Sequence, residues 1–461
     1  MQDLQTDFVG LHTPWTTAVG VAGPRSYLDS AATTLAMRSA LARREQLLHH
    51  YGSPHTGLNA ASNLCVEALA LAQETVLRFF GFTPGEHYCI FLGSGATAAL
   101  NRAAALLTRV HPGRPGVALS MMEHHSNDLP HRAVRDTVFH IPLLADGSLD
   151  LAALERELAQ RRTAYVALTA CSNVTGRLTP IADVAALAHH HGAHLLVDGS
   201  QMAVHARLAS PEAIDTFVFC GHKAYAPGAP GVLIVRKALH DAAGPIELGG
   251  GVIHRVSQQG FELATDMAER LHAGTPDVLG AFQIAMVLSR LAGHGFDQVM
   301  AHEQVLTRRL MAQLKAMPDE VVVYGDPDPH KRVGVVSFNL RRLDHVVVAW
   351  ALANCFNITV RNGCFCAQPY VRELLGVGQA LDALDEQAAL PGMVRASIGA
   401  YTSVQDIDGL VGALREISTR PDHYSRWHRA SSTEAGGRPD RHRTVRQLEA
   451  ICRGVLHFGR G

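Results

Sequence analysis

Two cysteines stand one residue apart in the segment RNGCFCAQPY, residues 361–370. Cys364 and Cys366 are compatible with half of a metal site, with a redox pair, or with one nucleophilic thiol beside a bystander. The metal site is the weakest of these alternatives, because no second close pair of the Cys-x-x-Cys or His-x-x-x-His kind accompanies them. If the segment is extended, residues two apart point to the same side, and both thiols then face one cleft.

A lysine and an aspartate stand at the ends of two apolar runs. Lys223 ends TFVFCGHK and is one of only four lysines in the chain, the others being Lys237, Lys315 and Lys331. A lysine enclosed by apolar strands tends to have a lowered pKa, which suits an amine that forms an imine. Asp198 follows HLLV. A carboxylate at the end of a buried strand needs several donors, as in a helix cap, or a cation such as a protonated pyridine nitrogen.

Two further features also lie at the ends of apolar runs. FLGSGATAALN, residues 91–101, predicts a strand, a Gly-Ser-Gly turn and a helix start, where backbone amides near Ala96 and the Thr97 hydroxyl suit a phosphate. His124 ends another apolar run and can stack on a flat ring or move a proton. Each feature alone also fits an ordinary structural role. Together, a phosphate cradle, a stacking histidine, an acid for a pyridinium and an imine lysine predict pyridoxal 5′-phosphate (PLP).

The elements that position these residues are short apolar runs alternating with amphipathic helical stretches, from about residue 85 to 240. This alternation predicts an α/β fold with a mainly parallel sheet covered on both faces. In such sheets ligands bind where strands end. The candidate residues follow these apolar runs, so the sequence predicts that they meet at one edge of the sheet.

A long helical pattern and a second set of short strands follow, including VGVVSFNL and MVRASIGAY. This order predicts a large domain at residues 21–290 and a smaller α+β domain at residues 1–20 and 291–420, which carries Cys366. Residues 421–461 are polar and arginine-rich, and we expect a tail with one short helix near VRQLEAICRGVL.

Composition narrows the class of partner. A chain of 461 residues with a net charge of −1 and 18% charged residues predicts a small-molecule partner rather than nucleic acid. The N-terminus lacks a cationic start before an apolar core, and no run is long enough for a membrane helix, so we expect neither secretion nor a membrane partner. Eight cysteines scattered from Cys65 to Cys452 differ from the dense pattern of small secreted proteins, and a cytoplasmic location is expected.

The sequence resembles the class V aminotransferase family of fold-type I PLP enzymes, and within it the cysteine desulfurases and selenocysteine lyases, group II above all. The similarity extends from YLDSAATT, residues 27–34, to VRASIGAYTSVQDID, residues 394–408. It implies a large domain on a mainly parallel seven-stranded sheet and a smaller α+β domain. The matching motifs are EHHSN (123–127), SNVTG (172–176), VDGSQ (197–201), GHKAYAPGAPG (221–231), RLHAGTP (270–276), RNGCFCAQP (361–369) and VRAS (394–397).

The resemblance implies how PLP is held. Lys223 is the imine lysine, Asp198 pairs with the pyridinium and His124 stacks on the ring. The other implied contacts are Asn173 and Gln201 at the ring hydroxyl, Thr97 and His222 at the phosphate with Ala96 beside them, and Thr275 from the other subunit of a homodimer.

The resemblance also implies a substrate site and a reaction. Arg395 binds the substrate carboxylate, with Arg361 and Asn173 as further substrate-binding residues. Cys366 occupies the position of the nucleophile that takes sulfur from L-cysteine as a persulfide, releases alanine and passes the sulfur to an acceptor protein. The attacking species is a thiolate, and Arg361 favours it if the fold brings the two close.

Three departures from the group II pattern stand out. Cys364 and Phe365 occupy the positions of two histidines that precede the catalytic cysteine. Cys220 replaces a serine of the phosphate site, and His272 replaces an acidic residue. The Gly-Cys-Phe-Cys run also resembles molybdenum cofactor sulfurases, whose large C-terminal domain we do not expect here because residues 421–461 are too few to form it.

Three hypotheses follow. The first is a PLP-dependent L-cysteine desulfurase or a closely related carbon–sulfur lyase with a Cys366 persulfide. The second is a class V aminotransferase, epimerase or β-lyase for a specialised pathway substrate, in which Cys366 only packs or gates. The third, a scaffold without PLP, is disfavoured by the presence of Lys223, Asp198 and His124. Cys364 as a resolving thiol for Cys366 is an open alternative.

Overall fold

The computed structural model describes residues 1–17, 19–55, 58–378 and 391–434. Its strands in chain order are β1 (Pro14–Thr16), β2 (Ala22–Pro24), β3 (Ser26–Tyr27), β4 (His87–Leu92), β5 (Gly116–Ser120), β6 (Thr137–Ile141), β7 (Thr163–Thr169), β8 (His194–Asp198), β9 (Thr216–Cys220), β10 (Gly231–Arg236), β11 (Ile253–Val256), β12 (Phe261–Leu263), β13 (Val321–Tyr324), β14 (Val335–Leu340), β15 (Ile358–Thr359), β16 (Arg361–Gly363) and β17 (Met393–Ser397). Its helices are α1 (Gln2–Gln5), α2 (Arg38–Leu48), α3 (Ala60–Phe80), α4 (Gly95–Val110), α5 (Leu129–Val134), α6 (Leu151–Gln160), α7 (Ile181–His190), α8 (Lys237–Ala243), α9 (Val278–His294), α10 (Phe296–Lys315), α11 (His345–Cys355), α12 (Gln368–Leu374), α13 (Val404–Thr419) and α14 (Pro421–Glu434).

The central sheet has seven strands in the order β4-β10-β9-β8-β7-β5-β6. β10 runs antiparallel to β4 and β9, and the other neighbouring pairs are parallel. Successive residues of β8 face opposite cores, as the pleat of a strand requires. Leu195 and Val197 belong to the same core as Val184 of α7. Leu196 belongs to the core of Leu100 on α4. The predicted α/β fold with a mainly parallel sheet is confirmed.

One edge of this sheet collects the ends of the parallel strands β5, β7, β8 and β9. The first residue of β10 passes close to the start of α4 at the same edge. A Cβ at Gly231 would collide with the carbonyl group of Gly95, so only glycine fits there. This close approach places the free amides of the α4 N-terminus beside the strand ends.

A second, antiparallel sheet has the order β13-β14-β17-β16. Its core contains Phe338 of β14, Val394 of β17 and Leu310 of α10. Leu288 of α9 lies in the core of the large sheet instead. We therefore propose that the domain boundary lies at Gly295, between α9 and α10, close to the boundary expected from the sequence.

The N-terminal segment packs on the large domain. Leu4 and Phe8 are buried in the core of the large sheet. The Phe8 ring meets that of Tyr225 edge-on, with centroids 5.1 Å apart. We therefore propose that the start of residues 1–20 belongs to the large domain, whereas the sequence led us to expect the small domain. The reason is that Phe8 buries against the aromatic residue Tyr225, which follows Lys223.

The start of the predicted tail is an ordered helix. In α14, Trp427 packs against Trp350 of α11 with ring centroids 5.9 Å apart, and Tyr424 is buried in the small-domain core. One apolar face is thus enough to dock a helix that is polar on average. The short helix expected near residues 445–456 lies outside the described residues. No helix in the described part of the chain is long and apolar enough to cross a membrane.

Candidate active site

A cavity of about 450 Å³ opens at the strand-end edge of the large sheet, beneath the small domain. Every residue predicted for the site lines it except Thr275. Thr275 is exposed, and its Oγ1 lies 3.3 Å from Nε2 of His55. The predicted residues that line the cavity are Ala96, Thr97, His124, Asn173, Asp198, Gln201, His222, Lys223, Arg361, Cys366 and Arg395.

Lys223 and Asp198 line the same cavity from adjacent strands. Lys223 is half-buried in a 3₁₀ turn, Gly221–Lys223, directly after β9. Asp198 is the last residue of β8, and its Oδ1 accepts a hydrogen bond from the Ser200 amide at 2.9 Å. Burial raises the pKa of Asp198, while the Ser200 hydrogen bonds and the Lys223 charge oppose that rise. A buried carboxylate of this kind is stabilised by a cationic ring nitrogen.

His124 presents a neutral ring to the cavity. Burial, followed by the positive charge of Lys223, lowers the pKa of His124 to about 3. Its Nδ1 accepts a hydrogen bond from the Ser126 amide at 3.1 Å, so the neutral ring carries its proton on Nε2. A neutral, fixed imidazole is suited to stack on a flat cofactor ring and to donate one hydrogen bond.

Glu123 lies directly behind His124 and was not predicted as a site residue. It is buried, and its carboxylate accepts from Asn127 Nδ2 at 2.6 Å and from the Thr169 amide at 2.8 Å. Burial raises the pKa of Glu123 to about 8, against these hydrogen bonds and one from Ser120. Glu123 ties the ends of β5 and β7 together and so fixes the position of His124. The sequence signal is a glutamate immediately before the strand-end histidine.

The end of the cavity beside the start of α4 contains a pair of hydroxyl groups, of which only that of Thr97 was expected from the sequence. Thr97 Oγ1 and Ser126 Oγ lie 2.8 Å apart, and both residues line the cavity. His222 and Cys220 line it too. Burial raises the pKa of the Cys220 thiol and lowers that of His222 to about 4. The free amides at the start of α4 complete an anion site with at least two hydroxyls and a neutral imidazole.

Changing Cys220 to serine is expected to raise PLP affinity several-fold, because a hydroxyl donates a stronger hydrogen bond than a thiol. The Ser126→Ala variant is expected to lower affinity by a similar factor. Dissociation constants from PLP titration followed by absorbance would test both. Equal affinities for the wild type and the two variants would show that neither side chain contacts the phosphate.

The loop that carries Cys366 is a tight turn and not an extended strand. Phe365 and Cys366 both have left-handed backbone conformations, with φ of 53° and 54°. Cys366 is exposed and lines the cavity, whereas Cys364 does not. The Cys364 Sγ instead donates to the Pro391 carbonyl at 3.0 Å. Both thiols were expected to face the cleft only if the loop were extended. Because the loop is a turn, only the Cys366 thiol faces the cleft.

Cys364 lies in an apolar environment. Its side chain packs against a cluster that includes Met122, Val174 and Tyr370. Burial raises the pKa of the Cys364 thiol. A half-buried, protonated thiol attacks disulfides and persulfides slowly, so the contacts of Cys364 favour packing over a resolving role.

Two arginines share one buried aspartate beside Cys366. Arg395 Nη2 lies 3.6 Å from Asp29 Oδ1, and Arg361 Nη2 lies 3.3 Å from Asp29 Oδ2. Burial lowers the pKa of Arg395 to about 10, so the guanidinium remains charged at neutral pH. One carboxylate for two guanidinium groups leaves a net positive charge, which suits the carboxylate of an amino acid. Asp29 was not predicted, although it stands in the YLDSAATT motif.

Asn173 connects this arginine pair with the cysteine loop. The backbone carbonyl oxygen of Asn173 accepts a hydrogen bond from Arg395 Nη1 at 2.9 Å. The side-chain Nδ2 of Asn173 donates a hydrogen bond to the Phe365 backbone carbonyl at 2.7 Å. The implied bond from Asn173 to the ring hydroxyl stays a prediction.

His272 has a structural contact. Its Nε2 accepts from the Phe91 amide at 3.0 Å, and burial lowers the pKa of His272 to about 4. The described residues hold no cluster of three or more His, Cys, Asp or Glu side chains that could bind a metal ion.

The residues present fit PLP. Gln201 Oε1 is buried without a hydrogen-bond partner among the described residues, although Gln201 lines the cavity. An unpartnered buried acceptor is costly and indicates a ligand that donates to it. The Asp198 carboxylate, the Lys223 amine and the free amides at the start of α4 are groups that would hold the ring nitrogen, the aldehyde and the phosphate of PLP.

Comparison with known proteins decides the family. The family model described as aminotransferase class-V matches residues 26–410. The chain belongs to this family. Class V aminotransferases depend on PLP, so PLP is the cofactor of this chain. The match ends before α14, which therefore lies outside the part shared with the family.

Individual relatives of the chain are cysteine desulfurases. That of Pectobacterium carotovorum subsp. carotovorum (strain PC1) is 33% identical over 402 residues, covering 86% of this chain and 93% of the relative. An apo structure of cysteine desulfurase from Thermococcus onnurineus NA1 superposes with a TM-score of 0.78 at 26% identity, covering 91% of this chain and 98% of that one. The cysteine desulfurase CsdA (S-sulfonic acid) of Escherichia coli gives a TM-score of 0.74 at 27% identity, with 90% and 97% covered. The predicted fold-type I fold and the resemblance to cysteine desulfurases are confirmed.

Proposed function

We propose that this chain is a PLP-dependent cysteine desulfurase that keeps sulfur on Cys366 as a persulfide. The observation that carries the proposal is that an exposed thiol, Cys366, lines one cavity with Lys223, Asp198 and Arg395. The relatives named cysteine desulfurase support the same reaction. The substrate is L-cysteine and the first product is alanine.

Each side chain has a defined task in this reaction. When bound, PLP supplies an electron sink for the bonds of the amino acid. Lys223 provides the amine that holds the cofactor and moves a proton at Nζ, and Asp198 would keep the ring nitrogen protonated. Arg395 binds the substrate carboxylate, and the hydrogen bond to Asn173 keeps its guanidinium in place.

The sulfur step takes place at Cys366. Its thiolate forms an S–S bond with the substrate sulfur while the C–S bond breaks, and the bonding electrons stay with carbon, which takes up a proton to give alanine. Thiol and cysteine thus become persulfide and alanine, without an external oxidant or reductant. A sulfur-acceptor protein is the proposed second partner, since a persulfide at an exposed position can be passed on by thiol exchange.

A product analysis tests this function. Purified enzyme is incubated with a panel of amino acids, products are identified by mass spectrometry, and intact protein is checked for one added sulfur on Cys366. Alanine from L-cysteine together with the added sulfur supports the proposal. Turnover of another amino acid without sulfur on the enzyme would favour a class V aminotransferase, epimerase or β-lyase instead.

We further propose a homodimer with shared active sites. Leu58, Val256 and Phe261 are 94%, 75% and 53% exposed, and exposed apolar side chains that lie together mark a surface that a partner covers. Val256 and Phe261 are paired across the β11–β12 hairpin. Thr275, predicted to reach the phosphate of the other subunit, is exposed as that role requires. A cytoplasmic location is also proposed, since the cysteines of the described ranges are free thiols.

The double variant Val256→Glu/Phe261→Glu is expected to be monomeric at micromolar concentration, because two charges would have to be buried in the interface. Its PLP affinity is expected to fall if Thr275 acts from the partner subunit. Light scattering after gel filtration measures the mass, with Val305→Glu as control, since Val305 is an apolar side chain that is 50% exposed on α10, outside the hairpin. A monomeric wild type would reject the proposal.

A further inference from the structure

Phe365 links the carboxylate site to the segment that carries Cys366. The guanidinium carbon of Arg395 lies 4.5 Å from the centroid of the Phe365 ring, in a cation–π contact. Arg395 Nη1 also donates to the Asn173 carbonyl, and Asn173 Nδ2 donates to the Phe365 carbonyl, at 2.9 and 2.7 Å. Arg395, Asn173 and Phe365 therefore form a closed set of contacts.

The turn at Phe365 and Cys366 is held by contacts from outside it. Two consecutive residues other than glycine with φ near +50° occupy a disfavoured conformation, which persists only where the surroundings hold it. The Phe365 carbonyl is bound by Asn173, and the Cys366 carbonyl accepts from the His125 amide at 2.7 Å. When these contacts loosen, the turn can relax and move the Cys366 thiol.

Arg395 has N–H groups left for a substrate carboxylate. Its Nε is buried without a hydrogen-bond partner among the described residues, and the side chain lines the cavity. A carboxylate accepts from the N–H groups in the plane of a guanidinium, whereas the Phe365 ring makes its contact with the guanidinium carbon. Both contacts can therefore exist together. A bound carboxylate restricts the motion of the Arg395 side chain and so of the Phe365 ring that contacts it.

We infer that Phe365 is a positioning residue that couples carboxylate binding at Arg395 to the placement of the Cys366 thiol. A substrate with a free α-carboxylate then fixes the nucleophile over its own sulfur, and a thiol compound without that carboxylate does not. The inference deepens the proposed function and rests on it for the sulfur step, whereas the coupling itself concerns only Arg395, Phe365 and Cys366. It also gives a function to a phenylalanine at a position where the related group II enzymes carry histidine.

Steady-state kinetics of the holoenzyme test the sulfur step. Phe365→Leu removes the ring face but keeps an apolar side chain, so kcat is expected to fall about 10- to 100-fold while KM for L-cysteine changes little. Phe365→Tyr keeps the ring and is expected to retain most of kcat. Phe139→Leu, at a half-buried phenylalanine on β6, is the matched control and should equal the wild type. A fall in kcat that tyrosine does not rescue, or a rise in KM alone, would overturn the inference.

A second measurement separates the coupling from the proposed function. Acetate serves as a carboxylate probe that lacks the sulfur end, and alkylation of Cys366 by iodoacetamide is followed by mass spectrometry at constant ionic strength. Saturable slowing of alkylation by acetate, several-fold in the wild type and absent in Phe365→Leu, supports the coupling even if the enzyme releases no sulfide. Equal effects of acetate on both proteins would disprove it, whatever the reaction catalysed.

Discussion

The Cys366→Ala variant is expected to lose at least about 100-fold of its sulfide and alanine production from L-cysteine. The reason is that the proposed reaction breaks the C–S bond only as a thiolate takes the sulfur. Among the described cysteines that line the cavity, Cys171 and Cys220 remain, and burial raises the pKa of Cys171 to about 12. Burial raises the pKa of Cys220 and keeps it protonated. Alanine release in the presence of a reducing thiol is the measurement, with intact mass to confirm that the variant carries no added sulfur.

Cys364→Ala is the matched control for this experiment. The Cys364 Sγ points to the Pro391 carbonyl and packs in an apolar cluster, so its loss is expected to leave turnover within a few-fold of the wild type. PLP content should be equal in both variants, because neither thiol is needed to hold the cofactor. If Cys366→Ala kept full alanine production, the persulfide would be wrong and Cys366 would be a packing residue. If Cys364→Ala lost as much activity as Cys366→Ala, a role of Cys364 as the resolving thiol would explain the result better than packing.

The residues expected to hold the cofactor could be placed together from the sequence because parallel strands end at one edge. His124, Asp198 and Lys223 lie at or just after the ends of three different buried strands, and the topology alone brings them together. Their chemical types then restrict the ligand, since an amine, a carboxylate and a phosphate cradle have few common partners. No knowledge of side-chain geometry was required for this step.

The cysteine loop could not be found in the same way. Nothing in GCFCAQ favours two left-handed residues, because neither Phe365 nor Cys366 has an intrinsic preference for that conformation. The turn depends on His125 and Asn173, which are distant in sequence and come close only when the two domains pack. The sequence therefore left the conformation of this segment open, and Cys364 would face the cleft only if the segment were extended.

Asp29 and α14 were missed for related reasons. Asp29 pairs with Arg361 and Arg395, which lie more than 300 residues further along the chain. No local sequence pattern therefore indicates that these three charges meet. In α14 the average composition is polar, and the apolar face formed by Tyr424 and Trp427 is short. Long-range pairing and a narrow apolar stripe are both weak signals in a single sequence.

The Lys223→Ala variant is expected to lose activity with every amino acid by at least about 1,000-fold. Two losses combine, since Lys223 is both the amine that holds the cofactor and the base within the cavity that can move a proton. The visible absorbance of lysine-bound PLP, and its disappearance on borohydride treatment, are expected only in proteins that keep Lys223. Lys315→Ala is the control, because Lys315 is an exposed lysine at the end of α10.

Borohydride also provides a direct assignment of the cofactor lysine. The chain has four lysines, Lys223, Lys237, Lys315 and Lys331, so proteolysis after reduction must place the added pyridoxyl mass on a peptide with one of them. Asp198 and His124 line the same cavity as Lys223, and we expect the mass there alone. Labelling of Lys237, Lys315 or Lys331 would refute this site and with it the roles of Asp198 and His124. Partial rescue of Lys223→Ala by a small external amine would separate the two losses, since such an amine can replace the proton carrier but cannot tether the cofactor to the protein.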